Sequence, residues 1–159
     1  MGYIMARWVI KNVGMKGVAM AVPENVVKTS DFDFFSQEEA EVFNNTVGIK
    51  RRHIAPDNMC ASDMCQAAAE KLLEELEWER DSIDVLLFES VTGDYRTPPT
   101  SCILQDKLAL SENCFCMDIP MGCCGCMYAI TVAGNLLTTG NVKRALLLIG
   151  DTALRMGSM

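Results

Sequence analysis

Residues 118–130 have the sequence DIPMGCCGCMYAI, in which three cysteines, Cys123, Cys124 and Cys126, lie within four positions. An apolar segment typical of a short strand, residues 115–119, comes before them, and a long apolar segment typical of a helix follows. The residues between the two segments, PMG, predict a tight turn. The stretch therefore predicts a strand, a turn and a helix, with the cysteines at the N-terminus of the helix.

Three kinds of chemistry can use cysteines in such a turn. A zinc site would combine Cys123 and Cys126 with Cys114 and Cys116, but the latter pair lies in or beside a predicted strand rather than on mobile loops. A redox pair would use the C-x-x-C spacing at the helix N-terminus, although such pairs usually have polar neighbours and this one is surrounded by apolar residues. The third kind is a single nucleophile, Cys123, with two bystanders.

The single nucleophile is the favoured interpretation. The unsatisfied N–H groups and the positive dipole end of a helix N-terminus stabilise a thiolate. The same N–H groups can bind an oxyanion, so that Cys123 could accept an acyl group as a thioester.

The rest of the chain alternates between helical and strand-like segments. Helices are predicted over residues 36–47, 61–78, 101–110 and 123–140. Strands are predicted over residues 13–23, 83–91, 115–119 and 143–151. The alternation indicates an α/β fold, a mostly parallel mixed sheet covered by helices, with a buried central helix after the cysteine turn. We expect a single domain over residues 1–159.

Two of the predicted helices carry recognisable local signals. In the first, Ser36 and Glu39 have the spacing of a capping box. In the second, Ser62 is the predicted N-cap. Four residues of that helix predict its buried stripe: Met64, Ala68, Leu72 and Leu76.

Composition limits the function classes. Half of the 159 residues are hydrophobic, which excludes a disordered chain, and the net charge of −7 argues against a nucleic-acid-binding protein. No segment reaches the length of a membrane span, and the N-terminus lacks a secretory signal, so we expect a cytoplasmic protein. Its eight cysteines should then be thiols. The basic run at residues 50–53 reads as a solvated loop.

Five segments, in order, resemble one known family: GVAMAVPENVVKTSDF (17–32), VGIKRRHIAP (47–56), ASDMCQAAAEKLL (61–73), MDIPMGCCGCMYAI (117–130) and GNVKRALLLIGD (140–151). Together they resemble the N-terminal half of a β-ketoacyl-acyl-carrier-protein synthase III, a condensing enzyme of the thiolase-like superfamily. The likeness runs from Gly17 to Ser158, and the chain stops just after a core strand. We therefore expect a fragment of a longer protein, with a thiolase-like half fold.

The resemblance implies a transferase of fatty-acid biosynthesis. An acyl group would move from coenzyme A to Cys123, and malonyl-acyl-carrier protein would lose carbon dioxide and attack the resulting thioester. Cys124 and Cys126 match positions beside the nucleophile. No metal and no bound cofactor are implied, because the coenzyme A thioester is a substrate. The family is homodimeric, and Thr97 matches a residue that reaches the partner's pocket.

The chain departs from the family at several positions. The histidine and asparagine that promote decarboxylation belong to the second half, so this chain alone should be incomplete and inactive in condensation. Val42 and Thr46 stand where the family has the tryptophan and arginine that bind coenzyme A. Cys126 replaces a phenylalanine of the acyl pocket.

The candidate substrate-binding residues are Thr46, Arg51, Arg52 and Cys126. The arginines could meet coenzyme A phosphates or an acidic carrier protein, while Arg52 has a structural alternative and His53 reads as structural. Three other functions remain open. They are an acyltransferase of the same fold in a specialised pathway with a non-standard donor or acceptor, a redox or metal-binding protein, and a non-catalytic partner subunit.

Overall fold

The computed structural model describes residues 9–153. Residues 1–8 and 154–159, which include much of the N-terminal segment considered above and the last positions of the resemblance, lie outside the described residues. The strands are β1 (Val26–Lys28), β2 (Arg51–His53), β3 (Val85–Glu89), β4 (Phe115–Ile119) and β5 (Ala145–Ile149). The helices are α1 (Gln37–Val47), α2 (Ala61–Glu75), α3 (Thr100–Lys107) and α4 (Gly125–Leu137). Three-residue 3-10 turns occur at Thr29–Asp31, Arg80–Ser82 and Gly122–Cys124.

The strands form a parallel three-stranded sheet, in the order β4-β3-β5, and a separate antiparallel pair, β1-β2. In the parallel sheet Val85 lies opposite Phe115 and Ala145, and Glu89 lies opposite Ile119 and Ile149. The carboxyl ends of the three strands therefore meet at one edge. The architecture confirms the predicted α/β fold with a parallel sheet flanked by helices.

The central strand β3 is buried at all five positions because helices cover both faces of the sheet. Side chains alternate between the faces. Leu86 and Phe88 pack with α2 and α3, and Val85 and Leu87 pack with α4. Full burial of an aliphatic or aromatic side chain of this size stabilises the fold by about 1.5–3 kcal/mol.

Helix α1 has the ends that its sequence predicts. The Ser36 side chain accepts a hydrogen bond from the Glu39 N–H, and the Ser36 N–H donates to the Glu39 carboxylate at 2.9 Å. That backbone hydrogen bond is the main cause of the lowered pKa of Glu39. Gly48 ends the helix with φ at 81°, a left-handed conformation that glycine adopts readily. The predicted capping box is confirmed.

The prediction that Ser62 caps α2 is wrong. The N-cap is Cys60, two residues earlier, so the helix begins at Ala61, and the Cys60 N–H donates to the Asp63 carboxylate at 2.8 Å. Ser62 is fully buried, and its hydroxyl donates to Asp94 at 2.6 Å. The hydroxyl thus binds a distant loop instead of its own helix.

The predicted stripe of α2 is displaced by one residue. The buried positions are Ala61, Ser62, Cys65, Ala69 and Leu73. The predicted residues Met64, Ala68, Leu72 and Leu76 are half-buried. Leu72 and Leu76 are next to the N-terminal segment, because a Cβ on Gly17 would lie 2.8 Å and 3.3 Å from their side chains. The predicted stripe therefore faces this segment as well as the core.

The strand predicted over residues 13–23 is absent from the described structure. The segment joins neither sheet, and its longer apolar side chains Met15, Val18 and Met20 are exposed. A β-prone sequence forms a strand only where a partner strand satisfies its backbone groups.

Helix α4 follows the cysteine turn, and Gly140 lies beyond its end with φ at 83°. Ala129 and Ala133 face the sheet and are buried. The opposite side of α4 is exposed in the part of the chain that the structure describes: Met127 is 64% exposed and Tyr128 is 52% exposed. Within the described residues, the helix is therefore buried only on the side that faces the sheet. Among the described residues, no helix has the length and apolarity needed to cross a membrane.

The Asp118 side chain, from β4, supplies the capping hydrogen bonds at the start of α3. Its two carboxylate oxygens accept hydrogen bonds from the Thr100 N–H at 2.7 Å and the Ser101 N–H at 2.8 Å, where the preceding residue, Pro99, provides no side-chain cap. Because an asparagine keeps one acceptor and loses the charge, we expect Asp118→Asn to lower the free energy of unfolding by about 2 kcal/mol.

Urea denaturation monitored by circular dichroism measures this change. Asp106→Asn on the exposed side of α3 is the matched control and should change stability little. Equal midpoints for the two variants would contradict the capping role of Asp118.

Candidate functional site

The cysteine turn connects the end of β4 to the start of α4. After Ile119 the chain forms the 3-10 turn Gly122–Cys124, and α4 begins at Gly125. Gly122 has φ at 61°, a conformation that residues with a Cβ rarely adopt. Cys123 and Cys124 are exposed, and Cys126 is half-buried on the first turn of the helix. The structure thus has the predicted strand, turn and helix, and it leaves the Cys123 thiol accessible.

A buried carboxylate lies beneath this turn, and sequence reasoning missed it. Glu89, the last residue of β3, is only 3% exposed. A Cβ on Gly125 would lie 2.0 Å from its Oε1 atom, so the carboxylate packs directly against the backbone of the first residue of α4. The available signal was a charged residue that ends the otherwise apolar run VLLFE.

The environment of Glu89 disfavours its ionised form. Burial raises the pKa of this carboxyl, and the nearby charge of Asp151 raises it further. The backbone N–H groups of Met121 and Gly122 act in the opposite direction and lower the pKa. The amide groups of the cysteine turn therefore help to hold the carboxylate.

Asp151 connects the loops that follow β3 and β5. Its Oδ1 atom accepts hydrogen bonds from the Ser90 hydroxyl, the Val91 N–H, and both the N–H and the hydroxyl of Thr92, at 2.8–3.2 Å. A Cβ on Gly122 would lie 3.6 Å from the Val91 side chain, so this loop also touches the cysteine turn. The site is therefore built from three loops at one edge of the sheet.

Buried Cys65 and Cys114 and half-buried Cys116 differ chemically from the exposed cysteines. Burial, with smaller effects of Asp151, Asp94 and Glu89, raises the pKa of Cys65 to about 12. Burial is also the main cause that raises the pKa of Cys116 to about 12, and it raises the pKa of Cys114. These thiols stay protonated near neutral pH and are poor nucleophiles.

Neither alternative use of the cysteines gains support from their arrangement. All eight cysteines are free thiols. Across residues 9–153 no group of three or more His, Cys, Asp or Glu side chains is placed to bind a metal ion. The absence of a metal site in the protein stays a prediction.

The predicted substrate-binding residues lie on three elements, α1, β2 and α4. Cys126 follows the cysteine turn, whereas Thr46 is on α1, where it lines an open cleft of about 820 Å³. Arg51 is exposed on β2. Thr97, the predicted contact with a partner subunit, is exposed in the loop before α3.

The Arg52 side chain contacts residues of the preceding segments of the chain. Its guanidinium lies 5.6 Å from the ring centroid of Phe32 and 5.1 Å from that of Phe43, and it donates to the hydroxyl of buried Thr29 at 3.2 Å. His53 contacts the backbone carbonyl of Pro23 through Nδ1. These contacts support the structural alternative for Arg52 and the structural interpretation of His53.

The two classes of cysteine should react at different rates. In native protein at about pH 8, we expect iodoacetamide to modify exposed Cys102, Cys123 and Cys124 first, because it attacks accessible thiolates. Cys65 and Cys116 should stay unmodified until the protein is denatured. Peptide mapping by mass spectrometry follows all eight sites in one sample. Early modification of Cys65 would contradict this structure.

The Gly125 contact predicts a second measurable effect. Gly125→Ala should destabilise the protein by about 1–3 kcal/mol, because the new methyl group overlaps the Glu89 carboxylate and forces the turn or the carboxylate to move. Gly14→Ala is the matched control, since a Cβ there meets nothing within 4 Å. Thermal unfolding of both variants measures the difference, and equal stabilities would show that the close contact is not maintained.

Comparison with known proteins gives relatives of greater length. No protein-family model matches the chain. The β-ketoacyl-[acyl-carrier-protein] synthase III of Clostridium perfringens is 33% identical over 143 residues, which cover 90% of this chain and 44% of that protein. The chain thus spans about half the length of the curated relatives that it matches.

Solved structures of proteins with the same kind of name are also similar to this chain. The structure of 3-oxoacyl-(acyl-carrier protein) synthase from Burkholderia xenovorans matches with a TM-score of 0.75 and 38% identity, over 82% of this chain and 38% of that one. The 3-oxoacyl-[acyl-carrier-protein] synthase III of Aquifex aeolicus matches with a TM-score of 0.78 and 25% identity, over 87% and 44% of the two chains.

Proposed function

This chain corresponds to the N-terminal half of a β-ketoacyl-acyl-carrier-protein synthase III of the thiolase-like superfamily, and we propose that Cys123 is its acyl-accepting nucleophile. The observation that carries the proposal is the exposed Cys123 thiol in the turn between β4 and α4. Its neighbours Cys124 and Cys126 are bystanders. The whole protein is then a condensing acyltransferase of fatty-acid biosynthesis.

The proposed first step is thioester exchange. The Cys123 thiolate attacks the carbonyl carbon of an acyl-coenzyme A, and the backbone N–H groups at the start of α4 can bind the oxyanion that forms. Collapse of this intermediate breaks the bond to the coenzyme A sulfur, which leaves as a thiolate and takes a proton from solvent. The acyl group remains on Cys123 as a thioester.

The second step is decarboxylative condensation with malonyl-acyl-carrier protein. Loss of carbon dioxide produces a carbanion, which attacks the acyl-Cys123 carbonyl and releases the cysteine. By the family resemblance, the histidine and asparagine that assist this step belong to the second half. We therefore propose condensation only for a protein that has both halves, and inactivity in condensation for this chain alone.

Further properties belong to the same proposal. The whole protein is a cytoplasmic homodimer, in which Thr97 reaches the partner's pocket. The half described here is a single domain. Arg51 can contact an acidic carrier protein, because it is exposed and free of the aromatic contacts that hold Arg52.

A specialised acyl donor is the second candidate, and the α1 cleft favours it. Val42 and Thr46 line the cleft together with the carboxylates of Glu38 and Glu39, and no lysine or arginine is among its lining residues. Carboxylates repel nucleotide phosphates. This cleft is therefore suited to a donor that does not place nucleotide phosphates there.

Acylation of the full-length protein tests the nucleophile. After incubation with a panel of acyl-coenzyme A and acyl-carrier-protein donors, we expect one acyl mass per chain, mapped to the Cys123 peptide. Cys123→Ala should lose the adduct completely. Cys124→Ala is the matched control and should keep it, because the two thiols are adjacent and both exposed.

The outcomes separate the two candidates. Adducts from coenzyme A donors support the synthase III function, whereas adducts from carrier-protein donors alone support the specialised donor. An adduct that persists in Cys123→Ala, or no adduct from either donor class, would refute the proposed role of Cys123.

A further inference from the structure

Glu89 has an unusual environment for a carboxylate. Its side chain is only 3% exposed, and its Oε1 atom is buried without a hydrogen-bond partner. A buried charged oxygen without a partner is unfavourable, so such a group tends to hold a proton or to serve a function. Neither acylation nor condensation, as described above, uses this residue.

The carboxylate occupies the same helix end as the proposed nucleophile. Oε1, Cδ and Cγ of Glu89 would lie 2.0, 2.3 and 2.5 Å from a Cβ on Gly125. Gly125 begins α4, and Cys123 is two residues earlier. Since consecutive Cα atoms are about 3.8 Å apart, the Cα atoms of Cys123 and Gly125 lie within about 7.6 Å of each other.

Both groups lie at the same helix N-terminus. The N-terminus of a helix has unsatisfied N–H groups and a partial positive charge that stabilise a single nearby anion. The N–H groups of Met121 and Gly122 already favour the ionised form of Glu89. A second negative charge on the same turn is disfavoured by repulsion.

We propose that Glu89 is a positioning residue that competes with Cys123 for the single negative charge that the start of α4 can hold. The turn then carries either the Glu89 carboxylate or the Cys123 thiolate more easily than both. The inference rests on the proposed role of Cys123 as nucleophile. It adds a second titratable group that controls when this nucleophile forms.

The surroundings of Glu89 fit a group that gains and loses a proton. Burial and the charge of Asp151, from the loop after β5, raise its pKa. On the α2 side the nearest titratable group is Cys65, whose own pKa is raised partly by Glu89, Asp151 and Asp94. Within residues 9–153, the charged group that acts on this carboxyl is thus the acid Asp151, and the turn amides favour its ionised form.

The competition has a consequence for acylation. Formation of the thioester replaces the Cys123 thiolate by a neutral group, and the turn can then hold the ionised form of Glu89. Glu89 releases its proton to solvent at that point. When the Cys123 thiolate is released again, Glu89 takes up a proton from solvent, and the negative charge returns to the cysteine. Glu89 thereby links the protonation of the turn to the acylation state.

The test is the pH dependence of Cys123 alkylation in purified protein. Iodoacetamide reacts with the thiolate, so its rate between about pH 6 and about pH 9 reports how easily the thiolate forms. Glu89→Gln removes the charge at nearly constant shape. We expect its profile to move to lower pH and its rate near neutral pH to rise at least about threefold, because the competing anion is gone.

Three controls keep the result specific. Glu112→Gln removes the same charge from an exposed residue before β4, at the opposite edge of the sheet, and should leave the profile unchanged. Cys102, exposed on α3, is the reference within each sample. Buried Cys65 should stay protected in every variant, which shows that the core remains folded.

A second variant separates charge from packing. Glu89→Ala also removes the charge but leaves a cavity, so a charge effect moves both profiles to lower pH, and a packing effect changes the alanine variant alone. An unchanged profile in Glu89→Gln, or a shift to higher pH, would overturn the proposal. The measurement uses no acyl donor, so failure of acylation with a shifted profile would refute the proposed function but support the charge competition between Glu89 and Cys123.

Discussion

The parallel pairing of β3 with β4 and β5 is the constraint on which the rest of the site depends. Because the three strands run in the same direction and end level with one another, the segments that follow them emerge at one edge. Residues 90–94, the cysteine turn and Asp151 therefore meet, although up to 61 positions separate them in the chain. Neither the turn nor the Asp151 hydrogen bonds could form if one strand shifted by a single residue, because a shift of one position also exchanges the two faces of that strand.

The same constraint explains why a carboxylate lies beneath a cysteine. β3 is the central strand, so its last side chain has neighbours on both sides and a helix start above it. An apolar residue at position 89 would satisfy packing alone. Glu89 instead places a carboxyl group there, and burial and the charge of Asp151 disfavour its ionised form. Its retention in a well-packed sheet requires Gly125, since every other residue type would occupy the space of the carboxylate. Glu89 and Gly125 thus form one structural unit, and the cysteine turn is built on it.

Local sequence signals predicted the elements that depend on local interactions. The capping box of α1, strand β4 and the turn before α4 were predicted correctly, since each is encoded within a few adjacent residues. Three features were missed for a shared physical reason. The hydroxyl of Ser62 binds Asp94, the segment at residues 13–23 lacks a partner strand, and the Glu89 carboxylate packs against Gly125. Each depends on a residue distant in sequence, which a pattern within one segment cannot reveal.

The basic run after α1 shows how tertiary contacts change the chemistry that a sequence suggests. The four consecutive residues Lys50 to His53 read as a solvated loop, yet three of them, Arg51–His53, form strand β2, and the structure divides their side chains. Arg52 is held between Phe32 and Phe43, where attraction between a cation and aromatic faces compensates for partial loss of hydration. Arg51 remains exposed, and the adjacent cleft is acidic at Glu38 and Glu39. The contacts that hold Arg52 lie within residues 29–52, whereas the cysteine turn depends on the parallel sheet. Substitutions around α1 can therefore change this cleft without disturbing the turn that carries the proposed nucleophile, so the proposed donor site and the proposed nucleophile can vary independently.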